Sequence, residues 1–355
     1  MSGDRQVVAS AYGASVHVSA PAGVIAGLTQ LISPYIDVAP ADGPVHAPHV
    51  RVCDSPPSQD VWRRMVLESE YEPDRVVWVD DTRRRMALAN EDEGWTVQQL
   101  LRSVRYLLRW QAYERGDLFL HGGLVRAENT GIAFLGHKRS GKTSSILSAL
   151  LNGGADFVSN DDLVLTDADG DAGALTGYGS PRTVNVRTDA LLALARDTPA
   201  LLSLLSDTSH PTNAFPGRHH TRDAIHSDTG DRLPGSVWVR CAELAHVTGR
   251  SLLPESRVDM VVLPGFDSAT DGPDMTRLTP QEAYQALSEH VEDNATKYDP
   301  YLAAWFPATH ADRRTRLLRR LADRTPCYRL TQDMGRLADA TSLLLATRAA
   351  AGPVS

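Results

Sequence analysis

Lysine is nearly missing from this 355-residue chain: Lys138, Lys142 and Lys297 are its three, so 33 of the 36 basic residues are arginine. Cysteine is as scarce. Cys53, Cys241 and Cys327 lie far apart and form no C-x-x-C pair, which argues against a disulfide framework or a zinc cluster and for a reducing, cytoplasmic compartment. No uninterrupted apolar run reaches the ~18 residues that span a bilayer. Met1-Ser2-Gly3-Asp4-Arg5 lacks the basic-then-apolar order of a secretory signal. Excess positive charge is absent too: 36 basic against 44 acidic residues leave −8, so no global field draws nucleic acid or an anionic membrane. What is present is a globular composition, 42% apolar and 23% charged, enough for a sizeable core and long enough for two units. A GC-rich coding bias produces such an arginine skew. It does not place two of three lysines four residues apart.

Periodicity then divides the chain. Gln6–Ser10 and Ser15–Ser19 alternate like strands, Pro21–Ile32 fits a short helix, and His49–Cys53 and Arg75–Val79 read as further strands. Residues 1–95 therefore form a small mixed α+β module with no catalytic constellation, suited to docking or scaffolding. In Thr96–Arg115, Val97, Leu100, Leu101, Val104, Leu107, Leu108 and Ala112 recur at three- and four-residue spacing, so residues 96–116 form a connecting amphipathic helix ended by Gly116. From Leu118 short apolar segments alternate with glycine. Phe119–Val125, Gly131–Leu135, Asp156–Ser159, Leu163–Thr166, Ser236–Val239 and Val258–Leu263 read as strands, with a helix from about Lys142 to Leu151. These belong to a domain over 117–270, and residues 271–355 are expected to be helical.

Chemistry concentrates in Gly136-His137-Lys138-Arg139-Ser140-Gly141-Lys142-Thr143, which matches G-x-x-x-x-G-K-[ST] at every fixed position. Glycines let successive backbone N–H groups curl around an anion, and the helix that follows adds its positive N-terminal end. The loop, continued by Ser144, is thus a candidate for the phosphates of ATP, with Lys142 at the β/γ-phosphates and the Thr143 hydroxyl on Mg²⁺. About twenty residues on, Ser159-Asn160-Asp161-Asp162 follows a short strand. Phosphoryl transfer needs a carboxylate for the metal and another for the proton of the attacking hydroxyl, and adjacent aspartates at a strand end supply both; a solvated turn is the plainer reading. His121, followed by Gly122-Gly123, precedes the loop by one strand. It is either a structural histidine or a group that orients one of the aspartates.

These pieces in this order resemble the HPr kinase/phosphorylase family and its kinase-like relatives. The matching stretches are Leu120–Val125, Gly131–Thr143 and Val158–Leu163, about forty-five residues in all. The resemblance implies an α/β P-loop domain of the phosphoenolpyruvate-carboxykinase type, flanked here by the N-terminal module and C-terminal helices. It implies an Mg²⁺- and ATP-dependent kinase that phosphorylates a hydroxyl, with Asp161 as general base, Asp162 and His121 supporting it, Lys142 and Thr143 in the nucleotide and metal roles, and Asp162 beside Thr143 on the metal. Bifunctional members carry Arg-Gly-x-Gly after a glutamate. The nearest segment here, Gly177-Tyr178-Gly179-Ser180-Pro181-Arg182, has no such glutamate. That places the chain nearer to kinase-like members of peptide natural-product pathways. The implied acceptor is a serine of a peptide or protein, or a small molecule; a nucleotide-gated binding protein without catalysis is the alternative from another class. A homo-oligomer is compatible with all of these.

Other signals are weaker. Arg182, Arg222 and Arg232, with Arg218, are candidates to neutralise transferring phosphate or touch substrate. Residues 207–234 are polar and irregular, compatible with a loop closing on substrate or with disorder. Their His210, His219, His220 and His226 lack zinc-site spacing. Asp167-Ala168-Asp169-Gly170-Asp171 fails the calcium-loop pattern and reads as a hairpin turn. Arg313-Arg314, Arg316 and Arg319-Arg320 are expected to be the solvated face of a helix.

Overall fold

The computed structural model describes residues 4–41, 47–55, 57–58, 61–69, 72–89, 92–167, 173–206, 209–215, 225–226, 230, 232–269, 271–293 and 302–351. It is mixed α/β and divides into two compact units. One comprises Met1–Gly116, Pro211–His219 and Asp293–Ala311; the other comprises Asp117–His210, His220–Glu292 and Asp312–Ser355. Among the described residues no helix is long and apolar enough to cross a membrane.

In the first unit the alternation seen in the sequence becomes one seven-stranded sheet, which starts from the hairpin Arg5–Ala11/Ala14–Ala20. Val16, Val18 and Ala20 are buried on one face, as a period of two requires. Helix Glu93–Glu114 packs on this sheet, and helix Ala22–Ile32 packs against that helix. Asp92 caps the longer helix by accepting from Trp95 N at 2.8 Å.

The second unit contains a six-stranded and a four-stranded sheet. The first runs, in order, Asp156–Ser159, Gly122–Ala127, Thr130–Leu135, Met260–Phe266, Cys327–Gln332 and Asp274–Arg277. The second runs Glu255–Arg257, Thr176–Tyr178, Leu163–Thr166 and Leu118–Leu120, all antiparallel. Leu120, Leu124, Leu135, Val158, Leu163 and Val261, from both sheets, share one core with Leu287, Leu317 and Leu321 of helices Pro280–Ser288 and Ala311–Arg324.

Three expectations need correction. Phe119–Val125 is not one strand: Leu118–Leu120 pairs in the four-stranded sheet and Gly122–Ala127 in the six-stranded one, with a break at His121. A continuous apolar stretch cannot reveal which ladder each half joins. The C-terminal region is not only helical, because Asp274–Arg277 and Cys327–Gln332 complete the six-stranded sheet. Cys327–Gln332 pairs parallel to Met260–Phe266, while Asp274–Arg277 is a largely exposed antiparallel edge strand, too short for alternation to mark it.

The arginines of the Ala311–Arg324 helix are not simply a solvated face either. Arg314 is buried, the Arg319 guanidinium stacks on the Tyr284 ring at 3.7 Å, and Arg320 donates to the Gly173 carbonyl. Arg313 meets the buried Asp117 at 2.8 Å and Asp167 at 2.5 Å. Removing one side of such a pair strips a buried carboxylate of its cation. Arg313→Ala should therefore lower unfolding stability by about 2 kcal/mol in denaturant titration, the Thr166 hydroxyl remaining as a partner of Asp117 at 3.1 Å. No change in midpoint would show the pair to be energetically neutral.

Candidate functional site

The second unit gathers its polar groups where the chain passes from one sheet to the other. Leu118–Leu120 leaves the four-stranded sheet, His121 interrupts the ladder, and Gly122–Ala127 enters the six-stranded sheet. A second passage runs the opposite way: Asp156–Ser159 leaves the six-stranded sheet, residues 160–162 make the crossing, and Leu163–Thr166 enters the four-stranded sheet. The two crossings touch through Gly123. A Cβ there would stand 2.6 Å from Ser159 O and 3.0 Å from Asn160 Cα, so only a residue without a side chain allows the approach.

Strand Thr130–Leu135 runs into the glycine loop, and helix Lys142–Asn152 leaves it. Gly141 takes φ +102°, and a Cβ on it would meet Gln332 Nε2 and the Phe266 ring at 2.9 Å. His137, Lys138 and Arg139 are exposed, with Arg139 at φ +71°; Ser144 is buried in the first helical turn. The buried Lys142 folds over the loop, its Nζ donating to Gly136 O at 2.7 Å and to His137 O at 3.0 Å. Burial pushes its pKa below the usual lysine value; the Asp161 carboxylate opposes that shift and Arg182 adds to it. These two side chains are thus within electrostatic reach of the loop's lysine.

Asp161 sits at φ +62°, a left-handed conformation that Asp tolerates better than most residues. Its carboxylate is one-third exposed. Oδ1 lies 3.5 Å from His121 Nε2 and Oδ2 lies 3.7 Å from Arg182 Nη2, while Arg182 Nη1 donates to the Asp161 carbonyl at 2.8 Å. Arg182 therefore grips both the backbone and the side chain of this residue. Asp162 points the other way, into the interior, and accepts from Ser180 Oγ at 3.3 Å. Asn160, assigned no role from the sequence, faces the loop, where its Oδ1 accepts from the Thr143 hydroxyl at 3.2 Å.

The fold also adds groups that no motif signals. After helix Pro280–Ser288 come Glu289, His290 and Glu292. Glu289 meets His137 at 3.1 Å, His290 lies with its ring 4.8 Å from that of His137, and Glu292 reaches His121 at 3.6 Å. Burial, assisted by His137, Lys142 and His121 and opposed by Glu289, pushes His290 down to about 4. They lie some 150 residues from the loop, too far for any local pattern to link them.

His210 is buried, stacked on Trp238 and bonded to Thr183 at 3.1 Å; among the described residues no cluster of histidine, cysteine or carboxylate is placed to hold a metal. Arg232 lies in a two-residue strand opposite His226. Arg218, Arg222, His219, His220 and residues 168–172 lie outside the described residues.

The arrangement can bind an anion. The N-terminus of helix Lys142–Asn152 opens at the loop, Lys142 supplies a cation, and the Ser140 hydroxyl is buried without a hydrogen-bond partner. Comparison with protein-family models and with curated proteins yields no match for the chain. One prediction tests the geometry itself. Gly123→Ala should destabilise the protein by about 2 kcal/mol or more and displace the Asp161 turn, because the new methyl meets Ser159 O and Asn160 Cα of the backbone as well as the Ile146 side chain at 2.5 Å. Thermal melts together with amide exchange at residues 159–162 measure both, and a wild-type response would contradict the close approach.

Proposed function

We propose that this chain is a P-loop kinase of the phosphoenolpyruvate-carboxykinase/HPr-kinase kind, which moves the γ-phosphate of ATP to a hydroxyl, preferentially a serine of a peptide or protein. The observation that carries this reading is the meeting of a glycine loop, its lysine and a partly exposed aspartate braced by His121 and Arg182. The residues fit a bound nucleotide: the loop N–H groups, Lys142 and the unpartnered Ser140 hydroxyl suit phosphate oxygens, and Thr143 and Asn160 suit a hard cation, whereas Asp162, expected from the sequence on the metal, is buried and turned to Ser180. Bound ATP supplies the phosphoryl group and Mg²⁺ offsets its charge.

The protein's own part is binding, orientation and proton handling. Lys142 is held at the loop by two carbonyls that it exchanges for phosphate oxygens. Asp161 takes the proton of the attacking hydroxyl, and Arg182, contacting both its carbonyl and its carboxylate, keeps the acceptor oxygen in place. A second reading has a specific support in the same pair. Arg182 already faces one Asp161 carboxylate oxygen and bonds the Asp161 carbonyl, an arrangement that also suits a nucleotide-gated binder that transfers nothing.

Two variants separate these readings. Lys142→Ala should weaken ATP binding at least tenfold and abolish turnover, measured by calorimetry and by transfer of labelled γ-phosphate to serine peptides. Unchanged affinity would remove the nucleotide from the loop. Asp161→Asn should retain ATP binding while transfer falls by roughly 10²-fold. Near wild-type transfer would deny Asp161 the base role, and wild-type protein that binds ATP without transferring phosphate would favour the binder.

A further inference from the structure

Glu292 belongs to no motif, yet backbone pairing delivers it to His121. His121 N donates to His290 O at 2.8 Å, Glu292 N donates to Phe119 O at 2.9 Å, and Leu120 bridges Val291 antiparallel. The segment 290–292 thus runs as a short added strand along Leu118–Leu120, at the edge of the four-stranded sheet. This sets the Glu292 carboxylate, 10% exposed, with Oε1 3.6 Å from His121 Nδ1, while Asp161 Oδ1 is 3.5 Å from Nε2 of the same ring. The histidine lies between two carboxylates, one at each nitrogen. Asp161 and Glu292 face the ring directly; Arg182 stands behind Asp161, and His290 and Lys142 are the nearby groups of opposite tendency.

We propose, resting on the kinase reading above, that Glu292 is a positioning residue that holds the proton on His121 Nδ1, so that Nε2 presents its lone pair to Asp161. In the transfer, the acceptor oxygen bonds to the γ-phosphorus as the bond to the bridging oxygen breaks, its electron pair leaving with ADP. The hydroxyl proton goes to Asp161 and is shared with His121 Nε2. Glu292 then faces the positive charge gained by the ring. The logic is that of an imidazole whose tautomer is set by a carboxylate on its far nitrogen.

The test uses the full chain with ¹⁵N-labelled histidine, the His121 signals being assigned by their loss in His121→Gln. Above the titration range of histidine, the wild type should show Nδ1 protonated and Nε2 bare. Glu292→Ala should move the proton to Nε2 and cut kcat about tenfold or more, with KM for ATP within twofold. Glu292→Gln, whose amide oxygen offers Nδ1–H an acceptor in place of the carboxylate, should keep the tautomer and an intermediate kcat, and it covers the case in which the alanine variant fails to fold. A wild-type ring protonated on Nε2, an unchanged tautomer in Glu292→Ala, or an unchanged kcat beside a changed tautomer would each overturn the proposal. Wild-type protein without any phosphoryl transfer would defeat the kinase reading alone, since the tautomer still decides whether Glu292 holds the ring.

Discussion

The site rests on one steric constraint, the contact of two backbone segments at Gly123. Each segment changes sheets at this level, and a strand that changes sheets must interrupt its ladder of hydrogen bonds. The interrupted residues are released from alternation and can aim their side chains across the gap. His121 sits at one interruption and Asp161 at the other, facing each other because Ser159 O and Asn160 Cα come too close to residue 123 to admit a Cβ. A glycine that looks like a turn signal in the sequence is in fact a spacer of zero thickness between two crossings.

Charge balance is the second constraint on this region. Lys142, His121 and Arg182 stand against Asp161 and Glu292, so each carboxylate that the crossing exposes has a cationic or imidazole partner. Lys142 is the residue whose pairing is most provisional, since neutral carbonyls hold its ammonium. Neutral acceptors satisfy a cation's hydrogen bonds without cancelling its charge. A polyanion at the loop would do both. The proposed reaction would use that exchange of carbonyls for phosphate oxygens at Lys142.

The same balance separates the roles of neighbouring residues that composition treats alike. Asp161 and Asp162 are chemically identical and adjacent, but the left-handed backbone of Asp161 turns it outward toward His121 and Arg182, while Asp162 is directed inward to Ser180. Arg182 and Arg313 illustrate the same point among the arginines. One braces an exposed aspartate and the other neutralises a buried one, and neither is a free surface charge.

Local signals made much of this legible. The alternation in Gln6–Ser10 and Ser15–Ser19, the three- and four-residue spacing after Thr96, and the loop followed by a helix at Lys142 all depend on neighbours within a few residues, and their elements occupy those positions. The residue types of the loop and of Ser159–Asp162 were likewise open to inspection, because phosphate cradles and strand-end carboxylates are short-range patterns. The break at His121, the strands Asp274–Arg277 and Cys327–Gln332, the Arg182 grip on Asp161 and the placement of Glu289, His290 and Glu292 were not. By itself the sequence determined those local helices and strands and which residue types stood near the loop. Only the tertiary structure decided which ladder each strand joined and which distant carboxylate faced which nitrogen, because those choices depend on packing between segments tens of residues apart, and in the case of His121 and Glu292 far more, for which periodicity carries no record.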